Sequence, residues 1–120
     1  MPITVGVVTE SAARETRVAI VPEIAAKLRT AGVRLMMERG AGAKAHFPDT
    51  LYGDVEFGEA AAVLSSADVL LKVQPPSLQE VAALKQNAVV IGFMQAYARP
   101  DLVRALKQRG LTSFGGDPPP

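Results

Sequence analysis

The sequence has no cysteine, no tryptophan and one histidine, His46. Without cysteine, disulfides, zinc–thiolate sites and cysteine nucleophiles are excluded. Aromatic residues make up 5% of the chain, too few for an aromatic-rich binding surface. Neither sign of charge is in excess: 13 Lys and Arg face 12 Asp and Glu, for a net charge of +1. That balance predicts no electrostatic nucleic-acid binder. Long apolar runs are also missing. The cleanest, such as Ala88 to Met94, fall far short of a membrane span, so no direct membrane insertion is expected. Met1-Pro2-Ile3-Thr4 offers neither a basic segment nor a cleavage site, which predicts a cytoplasmic protein without a signal peptide. No metal site is expected.

What is present is aliphatic. Hydrophobic residues are 48% of 120 positions, mainly Val, Ala, Leu and Ile. That length suits one domain with one core. Ile3 to Val8 reads as a first strand by its β-branched content. Pro22 fits the first turn of a helix, with Ile24, Ala25, Leu28 and Ala31 on one stripe. Gly32 closes that helix and Val33 to Glu38 forms the second strand. Asp54 to Phe57 reads as a short strand, and Glu59 to Ser66 as an Ala-rich helix. Asp68 to Val73 is the next strand, stopped by Gln74-Pro75-Pro76. Ser77-Leu78-Gln79-Glu80 is a capping box that starts a helix running to about Gln86. Ala88 to Phe93 is the most apolar strand, expected to be a central one. A helix from Pro100 to Gly110 and a strand over Leu111 to Phe114 complete the pattern. Strand and helix alternate throughout. The fold class is therefore α/β: a Rossmann-like, doubly wound, mostly parallel sheet with helices on both faces.

Ligands of open α/β sheets bind beyond the carboxyl ends of the strands. Three such loops carry polar groups: Arg17, Lys72 with Gln74, and Gln95 with Tyr97. Two cations and an amide at one sheet edge suit an acidic or carbonyl-bearing ligand. Plainer readings stand beside this one. In them Arg17 pairs with Glu15 or Glu10 on the surface, and Lys72 buries its stem and keeps its head in water. Gly40-Ala41-Gly42-Ala43-Lys44-Ala45 matches a loose dinucleotide fingerprint after a strand. Pro48, three residues on, leaves room for about one helical turn, so a Gly-supported loop without pyrophosphate is expected. His46 belongs to that loop and reads as a surface residue.

Four segments carry a resemblance. They are Glu15-Thr16-Arg17-Val18-Ala19 with Pro22, Glu38-Arg39-Gly40-Ala41-Gly42, Phe47-Pro48-Asp49, and Asp68-Val69-Leu70-Leu71-Lys72-Val73. In this order and spacing the chain resembles the N-terminal domain shared by alanine dehydrogenases and the alpha subunit of proton-translocating NAD(P) transhydrogenases. The resemblance runs from Val5 to about Phe114. It implies an α/β domain over residues 1–114, with 115–120 a Gly/Pro tail outside the family pattern.

In alanine dehydrogenases the corresponding Arg and Lys hold the substrate carboxylate and carbonyl, roles that the resemblance would give to Arg17 and Lys72. Where that branch has its catalytic histidine, this chain has Gln95. An amide cannot shuttle a proton as imidazole does, which favours the transhydrogenase branch. There the implied cofactor is NAD(H) and the implied reaction is hydride transfer from NADH to NADP⁺. The NAD-binding Rossmann domain of the family is absent from these residues, so a fragment, truncated product or split subunit, inactive alone, is expected. Implied partners are that domain with the membrane and NADP-binding subunits, or a second copy of the chain, at the cytoplasmic face of the membrane. The alternatives are a fragment of an alanine dehydrogenase-like or saccharopine dehydrogenase-like enzyme, and a non-catalytic α/β partner module.

Overall fold

The computed structural model describes residues 3–12, 14–92, 101, 104, 105, 108–110 and 112–114. Six strands form one sheet: β1 (Thr4–Val7), β2 (Arg34–Glu38), β3 (Glu56–Gly58), β4 (Val69–Leu71), β5 (Val89–Ile91) and β6 (Thr112–Phe114). Their spatial order is β3-β2-β1-β4-β5-β6 and every pairing is parallel. Three helices have described bounds: α1 (Pro22–Thr30), α2 (Ala60–Ser66) and α3 (Leu78–Ala83).

Period-two alternation along the strands divides the core in two. Leu35 and Met37 of β2 join Val5, Val7, Ala25 and Tyr52 on the α1 face. Met36, Leu70 and Val90 join Val63, Leu64 and Val81 on the α2–α3 face. Helices therefore cover both faces, as the aliphatic strands require.

Two expectations from the sequence are corrected by the fold. Ile24 is 43% exposed, because Ala25 and Leu28 are the inward residues of α1 and Ile24 lies about 100° round the helix from Ala25. The helix begun by the capping box is present but ends at Ala83, well before Gln86. Leu84 is already extended and Asn87 adopts a left-handed conformation, so the chain turns toward β5. The apolar strand β5 is a central strand as expected, paired on both sides with β4 and β6.

The Gly-rich loop supports a neighbouring segment. A three-residue 3-10 turn, Ala43–Ala45, follows Gly42, and no longer helix starts there. The Gly40 N–H donates to the Asp49 carboxylate at 3.0 Å. Gly42 has no room for a side chain: a Cβ would lie 2.6 Å from the Phe47 carbonyl oxygen and 2.9 Å from the Tyr52 hydroxyl. That hydroxyl, on a buried ring, donates to the Ile20 carbonyl at 2.8 Å. The loop thus makes space for Tyr52, and Tyr52 fixes the segment that leads from Arg17 into α1. His46 is exposed, at the left-handed residue that ends the turn.

Candidate functional site at the sheet switch point

In this strand order the chain leaves β1 toward β2 on one side and returns to β4 on the other. The carboxyl ends of β1 and β4 therefore flank the topological switch point, where such sheets open a crevice. The loop after β1 carries Glu10, Glu15 and Arg17, and the loop after β4 carries Lys72 and Gln74.

Arg17 folds back on Glu15. Its Nε and one terminal nitrogen each donate to the carboxylate at 2.9 Å, and its backbone N–H donates at 3.0 Å. The guanidinium side chain stays 62% exposed, while the Glu15 side chain is buried. A bidentate arginine–carboxylate pair is strong and directional. Gln74 completes it, donating its side-chain amide to Glu15 at 2.8 Å. The Arg17 guanidinium first, and the Gln74 amide second, hold the Glu15 carboxyl well below the usual carboxylate range. A native carboxyl of lowered pKa adds stability above its unfolded-state value and loses it as the pH falls through the native value. The stability difference between the wild type and Glu15→Gln should thus be full at neutral pH and shrink below pH 4.5, the ordinary value of the group. Urea titrations of both proteins at several pH values test this, and a difference that grows on acidification would contradict it.

Lys72 directly follows β4. Its ammonium is 3.2 Å from Glu10 and 3.5 Å from Glu80, and its side chain is 1% exposed. The reading with the head in water is therefore incorrect. A lysine this deep is tolerated because carboxylates meet it. Glu10, 2% exposed, also accepts the backbone N–H groups of Val73 at 2.9 Å and Gln74 at 3.1 Å. Glu10 thereby ties the loop after β4 to the loop after β1. Glu80 comes from α3, where one carboxylate oxygen accepts the Ser77 N–H at 2.8 Å in the capping box.

Arg17 and Lys72 thus lie beyond the carboxyl ends of adjacent strands, joined through Glu15, Gln74 and Glu10. The surface pairing of Arg17 with Glu15 is also present. Gln95 and Tyr97 lie outside the described residues. The roles of Glu10 and Glu80 toward Lys72 did not follow from the sequence. A usable signal existed, since a lysine ending a buried strand needs counter-ions and Glu10 lies in the loop that follows the neighbouring strand. Among the described residues no group of acids and His46 is placed to hold a metal ion. No helix among them is long and apolar enough to cross a membrane.

Comparison with known families matches residues 6–117 to "Alanine dehydrogenase/PNT, N-terminal domain". The chain belongs to this family. An NAD(P) transhydrogenase subunit alpha protein of Rhodospirillum rubrum is 38% identical over 108 residues, 83% of this chain and 28% of that protein. Alanine dehydrogenase 1 of Staphylococcus aureus is 30% identical over 118 residues, 94% of this chain and 31% of that protein. A transhydrogenase from Sinorhizobium meliloti superimposes with a TM-score of 0.88 at 37% identity, over 93% of this chain and 34% of that one. This family member is thus an oxidoreductase-family domain, more similar in sequence to these transhydrogenases than to that alanine dehydrogenase. It spans about a third of each relative's length.

Proposed function

We propose that this chain is the N-terminal part of the NAD(H)-binding alpha subunit of a proton-translocating NAD(P) transhydrogenase. Its switch-point crevice forms one wall of the cleft in which hydride passes from NADH to NADP⁺. Arg17, Lys72 and Gln95 are its anion-binding groups. The observation that carries the reading is the cluster of Arg17, Glu15, Gln74, Glu10 and Lys72 at the junction of β1 and β4. Gln95 supports the transhydrogenase branch over the alanine dehydrogenase branch, because its amide cannot transfer a proton at neutral pH. NAD(H), an NAD-binding Rossmann domain, and membrane and NADP-binding subunits at the cytoplasmic face complete the proposed assembly.

Alone, the chain is expected to show no measurable hydride transfer and at most weak NADH binding. Hydride transfer needs the nicotinamide held in a near-attack geometry, and misplacement by about 1 Å can cost on the order of a hundredfold in rate. The protein's share of that work is to bind and orient the cofactor. Ligand sites commonly bury roughly 70–90% of a ligand's surface, more than one wall supplies. Calorimetric titration of the 120-residue chain with NADH tests this. A micromolar dissociation constant, abolished by bulky residues at Gly40 and Gly42, would instead make this a cofactor-binding domain in its own right.

A further inference from the structure

One ammonium faces two carboxylates at Lys72, and the two are held differently. Glu10 is 2% exposed, lies 3.2 Å from the ammonium and accepts two backbone N–H groups. Glu80 is 14% exposed and lies farther away, at 3.5 Å. Of the two carboxylates, Glu80 is therefore held the less firmly by Lys72. Moving Glu80 outward costs less than moving Glu10, because Glu10 is also held by two backbone N–H groups and Glu80 already reaches solvent. There is space beside it. A cleft of about 350 Å³ is lined by Glu80 together with Thr9, Ser11, Glu38, Ser77 and Gln79.

We infer that Glu80 is an exchangeable internal ligand of Lys72, which a small carboxylate entering from this cleft displaces. The inference rests on reading Lys72 as a group that holds ligand anions. Glu10 stays in place and keeps the ammonium fixed, while the incoming carboxylate takes the position of Glu80. A neutral analogue of the same shape gains nothing by the exchange, because it cannot replace the lost ion pair. Glu80 thus acts as a specificity-determining residue: it excludes ligands that offer Lys72 no negative charge. The exchange also opens the capping box, since the same Glu80 oxygen accepts the Ser77 N–H. Ligand binding is thereby coupled to the start of α3. If Glu80 occupies Lys72 in about nine molecules of ten, the apparent affinity for an external carboxylate falls about tenfold.

Acetate and its neutral isostere acetamide are the probes. The 120-residue wild type, Glu80→Ala and Ser77→Ala are titrated with each at constant ionic strength. Binding is followed at the backbone amide resonances of Val73 and Gln74, whose N–H groups share Glu10 with Lys72. Ser77→Ala removes only the hydroxyl that accepts the Glu80 N–H, and leaves the Glu80 carboxylate on both Lys72 and the backbone N–H of position 77. Acetate should bind Glu80→Ala about tenfold more tightly than the wild type. Ser77→Ala should bind it as the wild type does, and acetamide should bind none of the three. Equal acetate affinity in Glu80→Ala and the wild type would overturn the exchange while leaving Lys72 an anion site. An equal gain in Ser77→Ala would overturn it in favour of simple loosening of α3. No acetate-dependent change at Val73 or Gln74 in any of the proteins would remove the exchange together with the anion-binding role of Lys72.

Discussion

Replacing Lys72 by Met should destabilise the fold by about 3–5 kcal/mol, the cost of stranding buried carboxylates without their counter-ion. Met matches the stem of Lys72 in length and fills its apolar path, so the loss is chiefly electrostatic. Two carboxylates then remain, one of them 2% exposed. They repel each other across the volume the ammonium had occupied. The loop after β4 should loosen as well, since Glu10 also binds Val73 and Gln74. The double variant Lys72→Met with Glu10→Gln separates charge from shape. Glutamine keeps one carbonyl oxygen for one of the two backbone N–H groups, leaves the other without its acceptor, and removes the more deeply buried charge. It should restore at least about 1 kcal/mol, because an uncharged buried polar group costs less than a charged one. Urea denaturation of the three proteins measures both steps. A single variant within about 1 kcal/mol of the wild type, the size of an exposed ion pair, would show that Lys72 is not held as a buried charge.

Among the described glycines, Gly92→Ala should be the most damaging single methyl group. Gly92 follows β5, and its α-carbon faces the backbone of Lys72. A Cβ there would fall inside any allowed contact with the Lys72 carbonyl oxygen, and 3.0 Å from the carbonyl carbon. Those atoms are backbone, and the Lys72 N–H is tied to the Ile91 carbonyl at 2.9 Å, so the neighbour cannot rotate aside. Overpacking of this kind costs about 3 kcal/mol, the upper end of its usual range. In a domain of this size that lowers the melting temperature by roughly 10–20 °C. The displaced backbone is that of Lys72 itself, so the anion binding proposed for Lys72 should weaken together with stability. A melting temperature within about 2 °C of the wild type, equivalent to well under 1 kcal/mol, would show that the strands can part at no cost and that the close approach is incidental.

The order and type of the elements were legible in the residues because that information is local. β-branched runs, helical stripes, Pro22 at a helix start and the Ser77–Glu80 capping box each act within a few residues. The same local signals put Arg17 and Lys72 at strand ends, and Pro48 denies the Gly-rich segment a long helix. The pairing of Arg17 with Glu15 is local too, whereas what Lys72 meets was settled by the folded chain alone. Lys72 reaches a glutamate 62 positions before it and another eight after it, through the pairing of β4 with β1 and the packing of α3. No periodicity encodes such a meeting, because the counter-ions of a buried charge are chosen by the topology of the sheet. The requirement for glycine at position 92 is of the same kind. Its conformation alone does not demand glycine, whereas the proximity of the Lys72 backbone does, and that proximity exists only once β4 and β5 are side by side.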